Sequence, residues 1–214
     1  MKSRFIVFEG IDGSGKGTII SEVKKELLEK GVPNEKIFIT AEPTNGAYGV
    51  KVRQLLKKSS SPKSNARLFL ELYVKDREEH LQKEIIPALK KEKIILCDRF
   101  KYSTFVYQLL QGIPLEEIKE LHSNFIVPDL VFVLDVSAKI SLERIKSDSK
   151  RKGLDSFERK DFLEKVRKGF LSLKEIFPKE NIEFIDSSKE ISKVKRMVCE
   201  KLWTELKQNG KNIS

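Results

Sequence analysis

The chain has 214 residues, 39% of them hydrophobic, which is enough for one substantial core and predicts a single domain over residues 1–214. Its longest apolar runs, residues 5–8 and 130–134, are far shorter than the roughly 20 residues of a membrane span, so we expect a cytoplasmic protein without a membrane partner. The presence of only two cysteines argues against a disulfide framework, and the formal net charge of +10 would attract polyanions, either nucleic acid or small phosphate substrates.

Short β-branched and aromatic runs alternate with amphipathic helical patterns along the chain. The predicted strands are residues 5–8, 37–40, 94–97, 131–135 and 183–186. The predicted helices are residues 18–29, 50–57, 65–91 with an interruption near Pro87, 102–110, 115–125, 137–146, 159–177 and 189–207. This alternation predicts an α/β domain with a parallel sheet of about five strands between two layers of helices. Active sites in such folds lie at the carboxyl ends of the strands.

A glycine-rich segment between the first predicted strand and the first predicted helix fits the pattern G-x-x-x-x-G-K. In this pattern backbone N–H groups surround phosphate oxygens, and Lys16 reaches the β and γ phosphates. The segment therefore predicts ATP binding in a P-loop NTPase-like domain. The residues of the predicted loop are Gly10, Ile11, Asp12, Gly13, Ser14, Gly15, Lys16, Gly17 and Thr18.

The predicted metal is Mg²⁺, which accompanies ATP in this type of loop. Gly17 stands where a Ser or Thr hydroxyl normally binds that ion, so we expect Mg²⁺ to be held mostly through phosphates and waters. The strand at residues 94–97 ends in Asp98 and Arg99. An acid at this place can lie near Mg²⁺, through a water, and the planar guanidinium of Arg99 suits a phosphate.

Four segments, in this order along the chain, resemble the thymidylate kinase family. They are residues 9–16 (EGIDGSGK), residues 40–43 (TAEP), residues 98–108 (DRFKYSTFVYQ) and residues 128–136, where PDL leads into LDV. The loop alone is shared with many nucleotide-binding proteins, whereas the Asp-Arg-aromatic motif with its following Ser, Tyr and Gln is more specific. The likeness extends from residue 5 to about residue 186.

The resemblance implies transfer of the γ-phosphate of ATP to dTMP, giving dTDP, by a homodimer. It implies that Arg99 binds the acceptor phosphate, that Asp12 lies near the acceptor sugar and the metal, and that Tyr107 crowds the 2′ position and favours deoxyribose. Tyr73 and Arg77 lie four residues apart on one helical face. The resemblance places Tyr73 on the thymine ring and Arg77 at the base edge or the 5′-phosphate. The other implied acceptor-site residues are Glu42, Ser103, Thr104 and Gln108.

The resemblance also implies a basic lid over the donor phosphates. Gly13 stands where some members carry an Arg, which is typical of the branch that supplies its catalytic Arg from the lid. The predicted lid is residues 147–156, in which Arg151 is the expected catalytic residue, with Arg144 beside it as an ATP-binding residue. A lid that closes over ATP would exclude water and limit hydrolysis.

Two other functions remain open at this point. The Gly-Lys-Gly-Thr ending of the loop is familiar from adenylate kinases, and Tyr73 replaces the Phe of most members, so another nucleoside monophosphate kinase acting on dUMP, UMP or CMP also fits. The net charge of +10 fits a nucleic-acid-binding P-loop ATPase, with nucleic acid the less expected partner.

Overall fold

Five parallel strands form one sheet in the computed structural model, which describes residues 3–58, 65–147 and 160–207. The strands are β1 (Arg4–Glu9), β2 (Ile37–Ala41), β3 (Ile94–Asp98), β4 (Leu130–Asp135) and β5 (Ile182–Asp186). Their order across the sheet is β2-β3-β1-β4-β5, and every pairing is parallel. This confirms the predicted α/β fold, and each predicted strand is found, extended by one residue at one or both ends.

The helices follow the predicted alternation. They are α1 (Lys16–Glu29), α2 (Ala47–Lys58), α3 (Ala66–His80), α4 (Ile86–Lys90), α5 (Lys101–Leu110), α6 (Leu115–His122), α7 (Ala138–Ser147), α8 (Lys160–Leu171), α9 (Leu173–Ile176) and α10 (Ile191–Lys207). A 3₁₀ turn, Asn34–Lys36, precedes β2. None of the helices in the described ranges combines the length and the apolar character that a membrane span needs.

The central strands are buried on both faces, which explains why they read as continuous apolar runs. Along β1, Phe5 and Val7 point to one face, while Ile6 and Phe8 point to the other, and all four are at most 1% exposed. Helices α1 and α10 pack on the face of Ile6 and Phe8. Helices α4, α5 and α8 pack on the opposite face. The result is the predicted three-layer arrangement.

The predicted helix at residues 65–91 is one helical path with an interruption. Pro87 has no N–H, so the carbonyl of Lys83 has no α-helical donor. The chain passes through a π-helical turn, Leu81–Ile85, and the N–H of Ile86 bonds to the carbonyl of Leu81. The interruption predicted near Pro87 therefore takes the form of a wider turn just before it.

Two other predicted helices end or break earlier than expected, each at a serine. The helix predicted to reach residue 125 ends at His122, and the one predicted to reach residue 177 breaks at Ser172. Ser123 Oγ donates to the carbonyl of Glu120 at 2.8 Å, and Ser172 Oγ donates to that of Gly169 at 3.0 Å. Each serine hydroxyl thus competes for a carbonyl that the helical ladder would otherwise use.

Strand β1 lies at the centre of the sheet, between β3 and β4. The chain leaves β1 toward β2 on one side, and it later leaves β3 toward β4 on the other side. This is the topological switch point of an open parallel sheet, where ligands bind outside the carboxyl ends of the strands. The glycine-rich loop follows β1, and the Asp98-Arg99 pair follows β3, so the fold brings the two predicted half-sites together.

Candidate active site

The loop after β1 approaches its neighbours closely enough to require glycine. Gly10, Gly13 and Gly15 have φ values of 136°, 73° and 94°. A Cβ on Gly10 would lie 2.6 Å from the carbonyl oxygen of Leu134, and one on Gly13 would lie 2.6 Å from that of Ser141. Both distances are shorter than any normal contact, so the loop is closely fitted against β4 and α7.

The loop leads into a helix start that fits a phosphate group. Gly15 has a left-handed conformation and makes no side-chain cap on α1, so no side chain occupies the first N–H groups of the helix. Ser14 Oγ is buried and has no hydrogen-bond partner in the described part of the chain. An uncapped helix N-terminus with an unpaired buried hydroxyl is well suited to phosphate oxygens.

Lys16 lies folded over this loop, among acidic neighbours. Its Nζ donates to the carbonyls of Gly10 and Ile11, each at 3.1 Å, and the residue is 7% exposed. Burial and the charge of Arg99 lower the pKa of Lys16, while the charges of Asp98, Asp12 and Glu9 oppose that shift. Lys16 is therefore held where the predicted donor and acceptor halves meet.

A cavity of about 230 Å³ adjoins the loop. Arg144 spans it, with Nη1 donating to the carbonyl of Gly13 at 3.4 Å and Nη2 donating to that of Ser187 at 2.9 Å. Four predicted ATP-binding residues therefore share this cavity with residues that follow β5. Its lining is Ser14, Gly15, Thr18, Ile19, Arg144, Ser187, Lys189, Ile191 and Val194. No sequence motif marks Ser187, Lys189 or Ile191, although each lies shortly after a strand, as the other site residues do.

Arg99 is the centre of the acceptor half. It has a φ of 70°, rare for a residue with a side chain, and its N–H bonds to the carbonyl of Phe8 at 2.9 Å. Its guanidinium donates to Ser103 Oγ and to Asp12 Oδ1, each at 2.8 Å, and lies 5.8 Å from the centre of the Tyr107 ring. The structure thus brings together four residues that were predicted for one acceptor site.

Glu9 fixes the turn that carries Arg99, although no predicted role was attached to it. The carboxylate is fully buried and accepts three hydrogen bonds: from Phe100 N at 2.8 Å, from Ser103 N at 3.2 Å and from Ser103 Oγ at 2.6 Å. Burial raises the pKa of Glu9, while Arg99 and the hydrogen bonds from Ser103 and Phe100 oppose that change. An acid at the end of an apolar strand was the one signal in the sequence.

Asp98 offers an unused carboxylate oxygen beside Lys16. Its Oδ1 is buried and has no hydrogen-bond partner among residues 3–58, 65–147 and 160–207, which is costly unless a cation or a bound water satisfies it. Within the described ranges, no group of three or more His, Cys, Asp or Glu side chains could hold a metal ion by itself. The donor set therefore fits an ion that takes most of its ligands from phosphates and waters.

Arg77 is more enclosed than the sequence indicates. It is 1% exposed, and its Nε and Nη2 donate to Glu42 Oε2 at 2.9 and 2.6 Å. Nη2 also donates to Thr104 Oγ1 at 3.0 Å, and Nη1 lies 2.7 Å from His122 Nε2. These bonds use four of the five N–H groups of a guanidinium. Within the part of the chain that the structure describes, Arg77 therefore has one N–H without an acceptor, which favours contact with a base edge over a bidentate bond to the 5′-phosphate.

Both histidines of the chain belong to this network, and no motif pointed to either of them. His80 Nδ1 lies 3.1 Å from Glu42 Oε1, and His80 Nε2 lies 2.7 Å from Thr40 Oγ1. His122 bonds to Arg77 from α6, as described above. The Glu42–Arg77 pair joins the residue that follows β2 to α3. One imidazole therefore lies on each side of this pair.

The remaining predicted acceptor residues lie nearby on α3 and α5. The Tyr73 ring stacks on Phe69 with centres 6.3 Å apart, and burial raises the pKa of Tyr73 to about 12. Gln108 is 1% exposed, and its Oε1 has no hydrogen-bond partner. Arg151 and nearly all of the predicted lid lie outside the described residues, so their placement stays a prediction.

The buried, neutral His122 predicts a pH dependence of stability. Burial and Arg77 lower the pKa of His122 to about 3, and the unfolded chain should have the ordinary value near 6.5. Between these values only the unfolded chain takes up the proton, so stability is lost as the pH falls below about 6.5. From pH 7 to pH 5 we expect the unfolding free energy of the wild type to fall by about 2 kcal/mol relative to that of His122→Phe, which has no imidazole to protonate.

Urea unfolding of both proteins at the two pH values measures this double difference, which cancels the titration of every other group. A difference that does not change with pH would contradict a neutral buried imidazole.

Comparison with known proteins identifies the family. The family model described as thymidylate kinase matches residues 8–198. The chain is 37% identical to a thymidylate kinase of Leptospira interrogans, over 98% of both chains, and 39% identical to one of Caldicellulosiruptor saccharolyticus, over 94% of this chain and 98% of the other. The crystal structure of thymidylate kinase from Ehrlichia chaffeensis aligns with a TM-score of 0.70 and 30% identity, covering 94% of this chain and 100% of that one. The chain belongs to the thymidylate kinase family.

Proposed function

We propose that this protein transfers the γ-phosphate of ATP to dTMP, giving dTDP and ADP. The observation that carries the proposal is the 2.8 Å contact between Asp12 and Arg99. Asp12 belongs to the phosphate-binding loop and Arg99 to the turn after β3, so the predicted donor and acceptor halves touch at this pair. Family membership supports the kinase over a nucleic-acid-binding ATPase. The homodimer remains a prediction from the resemblance, and the cytoplasmic location remains a prediction from the short apolar runs.

Catalysis at this site would be mainly electrostatic. The acceptor oxygen of a nucleoside monophosphate is already anionic, so no strong base is needed when it attacks the γ-phosphorus and the bond to the bridging oxygen of ADP breaks. Lys16 and Arg99 supply the positive charge that the structure holds at this point. Asp12 Oδ1 accepts a hydrogen bond from Arg99 Nη2 at 2.8 Å, and we expect binding of the acceptor phosphate to Arg99 to replace that bond.

Asp98 is the residue we propose to hold Mg²⁺, through a water, together with the ATP phosphates. When bound, the ion would neutralise phosphate charge. Arg151, from the predicted lid, is the proposed additional cation at the transferring group, and Arg144 is the proposed contact to ATP. On the acceptor side Tyr73 would stack on the base, and Tyr107, beside Arg99, would exclude a 2′-hydroxyl.

A coupled assay of ADP release from Mg·ATP tests the proposed function directly. Over dTMP, dUMP, UMP, CMP, AMP and dGMP we expect the highest kcat/KM with dTMP. Preference for another acceptor would overturn the specific substrate and leave the kinase reaction intact. Hydrolysis that needs no acceptor would overturn both.

Substitutions of the two central cations should nearly abolish turnover. We expect Lys16→Ala and Arg99→Ala each to lower kcat by roughly 100-fold or more, because each removes charge that stabilises the transition state. Tyr107→Ala should mainly raise the relative kcat/KM for ribonucleotide acceptors. Arg196→Ala is the matched control, since that side chain is 73% exposed on α10 and pairs with Glu200 one turn away. Steady-state kinetics that leave Arg99→Ala equal to this control would refute the assignment.

The loop has room for the hydroxyl that it lacks. Apart from its chain neighbours and the backbone of its own helix, no atom of the described residues lies within 4 Å of a Cβ built on Gly17. We therefore expect Gly17→Ser to place a hydroxyl at the usual Mg²⁺ position and to lower the Mg²⁺ concentration for half-maximal activity by roughly threefold or more. Gly17→Ala adds the same Cβ without the hydroxyl. If a Mg²⁺ titration of activity gives the same midpoint for both variants, the hydroxyl does not reach the ion.

A further inference from the structure

We propose that His122 is a positioning residue for the choice of acceptor base: it accepts one N–H of Arg77 and thereby leaves a single N–H of that guanidinium for the base edge. The inference rests on the proposed function, because it takes Arg77 as the group that meets the base. No sequence motif marks His122, which lies on α6, at the far side of Arg77 from Glu42.

The protonation of His122 follows from its two partners. Nδ1 lies 2.7 Å from the carbonyl oxygen of Ile118, which can only accept, so Nδ1 carries the hydrogen. Nε2 lies 2.7 Å from Arg77 Nη1, which can only donate, so Nε2 must present its lone pair. Both conditions hold together only for the neutral Nδ1–H tautomer. The imidazole is therefore a fixed acceptor on the guanidinium.

The other bonds of Arg77 make this acceptor decisive. Glu42 takes Nε and one N–H of Nη2, and Thr104 takes the second N–H of Nη2. The ring of Phe100 lies 5.1 Å from the guanidinium carbon. Among the described residues, only Nη1 keeps an N–H without an acceptor, and the bond to His122 fixes which of its two hydrogens is free and in which direction that hydrogen points. Without His122, Nη1 would have two unpaired N–H groups, and one hydrogen bond fewer would hold the guanidinium in place.

A single, fixed N–H donor distinguishes pyrimidines by the group at position 4. Thymine and uracil present a keto oxygen there, which accepts the hydrogen bond. Cytosine presents an amino group, which cannot accept and would leave the buried N–H of Arg77 without a partner. Sites of this kind reject the wrong hydrogen-bonding group more strongly than they reject a change in size.

His122 also packs against two aromatic rings, so a purely structural role is the rival explanation. Its ring meets those of Phe105 and Phe125 edge to face, with centres 5.1 and 5.3 Å apart. Two variants separate these roles. His122→Phe keeps an aromatic ring and removes the acceptor, whereas His122→Gln removes the ring and can place its amide oxygen near the position of Nε2.

The decisive measurement is kcat/KM for dTMP and for dCMP, with the KM of ATP and the thermal midpoint recorded for each protein. We expect His122→Phe to raise the KM of dTMP about tenfold and to lower the preference for dTMP over dCMP about tenfold, with kcat within roughly twofold and an unchanged KM of ATP. His122→Gln should recover most of that preference even if it lowers the thermal midpoint more than His122→Phe does.

The proposal would be overturned if the preference for dTMP over dCMP changed in parallel with the thermal midpoint and not with the presence of a hydrogen-bond acceptor at position 122. An unchanged preference in His122→Phe would also overturn it. If the wild type does not phosphorylate dTMP, that result would instead contradict the proposed function. The chain has two histidines, so ¹H–¹⁵N imidazole spectra of the wild type, assigned with His122→Phe, test the geometry without any acceptor. We expect the spectra to show a neutral His122 ring with its hydrogen on Nδ1 from pH 5 to 8. A hydrogen on Nε2 or a charged His122 ring would overturn the inference.

Discussion

The buried carboxylate of Glu9 is the constraint on which the site depends. It lies at the end of the central strand and accepts the N–H groups of Phe100 and Ser103 as well as the Ser103 hydroxyl. Because Ser103 Oγ in turn accepts from Arg99, the chain Arg99–Ser103–Glu9 transmits the position of the sheet to the guanidinium. Arg99 is not a glycine, so its left-handed backbone conformation would be unfavourable without such support.

A second buried acid, Glu42, performs the corresponding task on the other side of the acceptor site. Its two oxygens bond to Arg77 and His80, and Arg77 bonds onward to Thr104 and His122. Elements that are distant in sequence, from the end of β2 to α6, therefore share one hydrogen-bonded network. Apart from the one free N–H of Arg77, this network is paired, and in a low-dielectric interior such pairing is rigid. Loss of a single partner would leave a buried charge unpaired, which carries a large free-energy penalty.

Much of the fold and of the donor half could be predicted because their signals are contiguous. The phosphate-binding loop is one uninterrupted motif, and the strands are unbroken apolar runs that reflect burial on both faces. The roles of Glu9, His80 and His122 could not be predicted, because the site side chains to which they bond, Ser103, Glu42 and Arg77, lie 94, 38 and 45 residues away and no spacing rule connects them. The helix ends at Ser123 and Ser172 were missed for a local reason, since a serine hydroxyl can either face solvent or take a carbonyl.

The close fit of the glycine-rich loop has a consequence for the order in which the molecule folds. The loop is only nine residues long, yet Ser141 Oγ donates to the carbonyl of Asp12 at 2.6 Å, and the Arg99 side chain reaches Asp12 from 87 residues away. A nascent chain that has emerged only as far as β3 would have the whole motif and still lack the α7 contact that shapes it. Because such long-range contacts form slowly, we expect phosphate affinity to be acquired late in folding and to distinguish native molecules from compact intermediates.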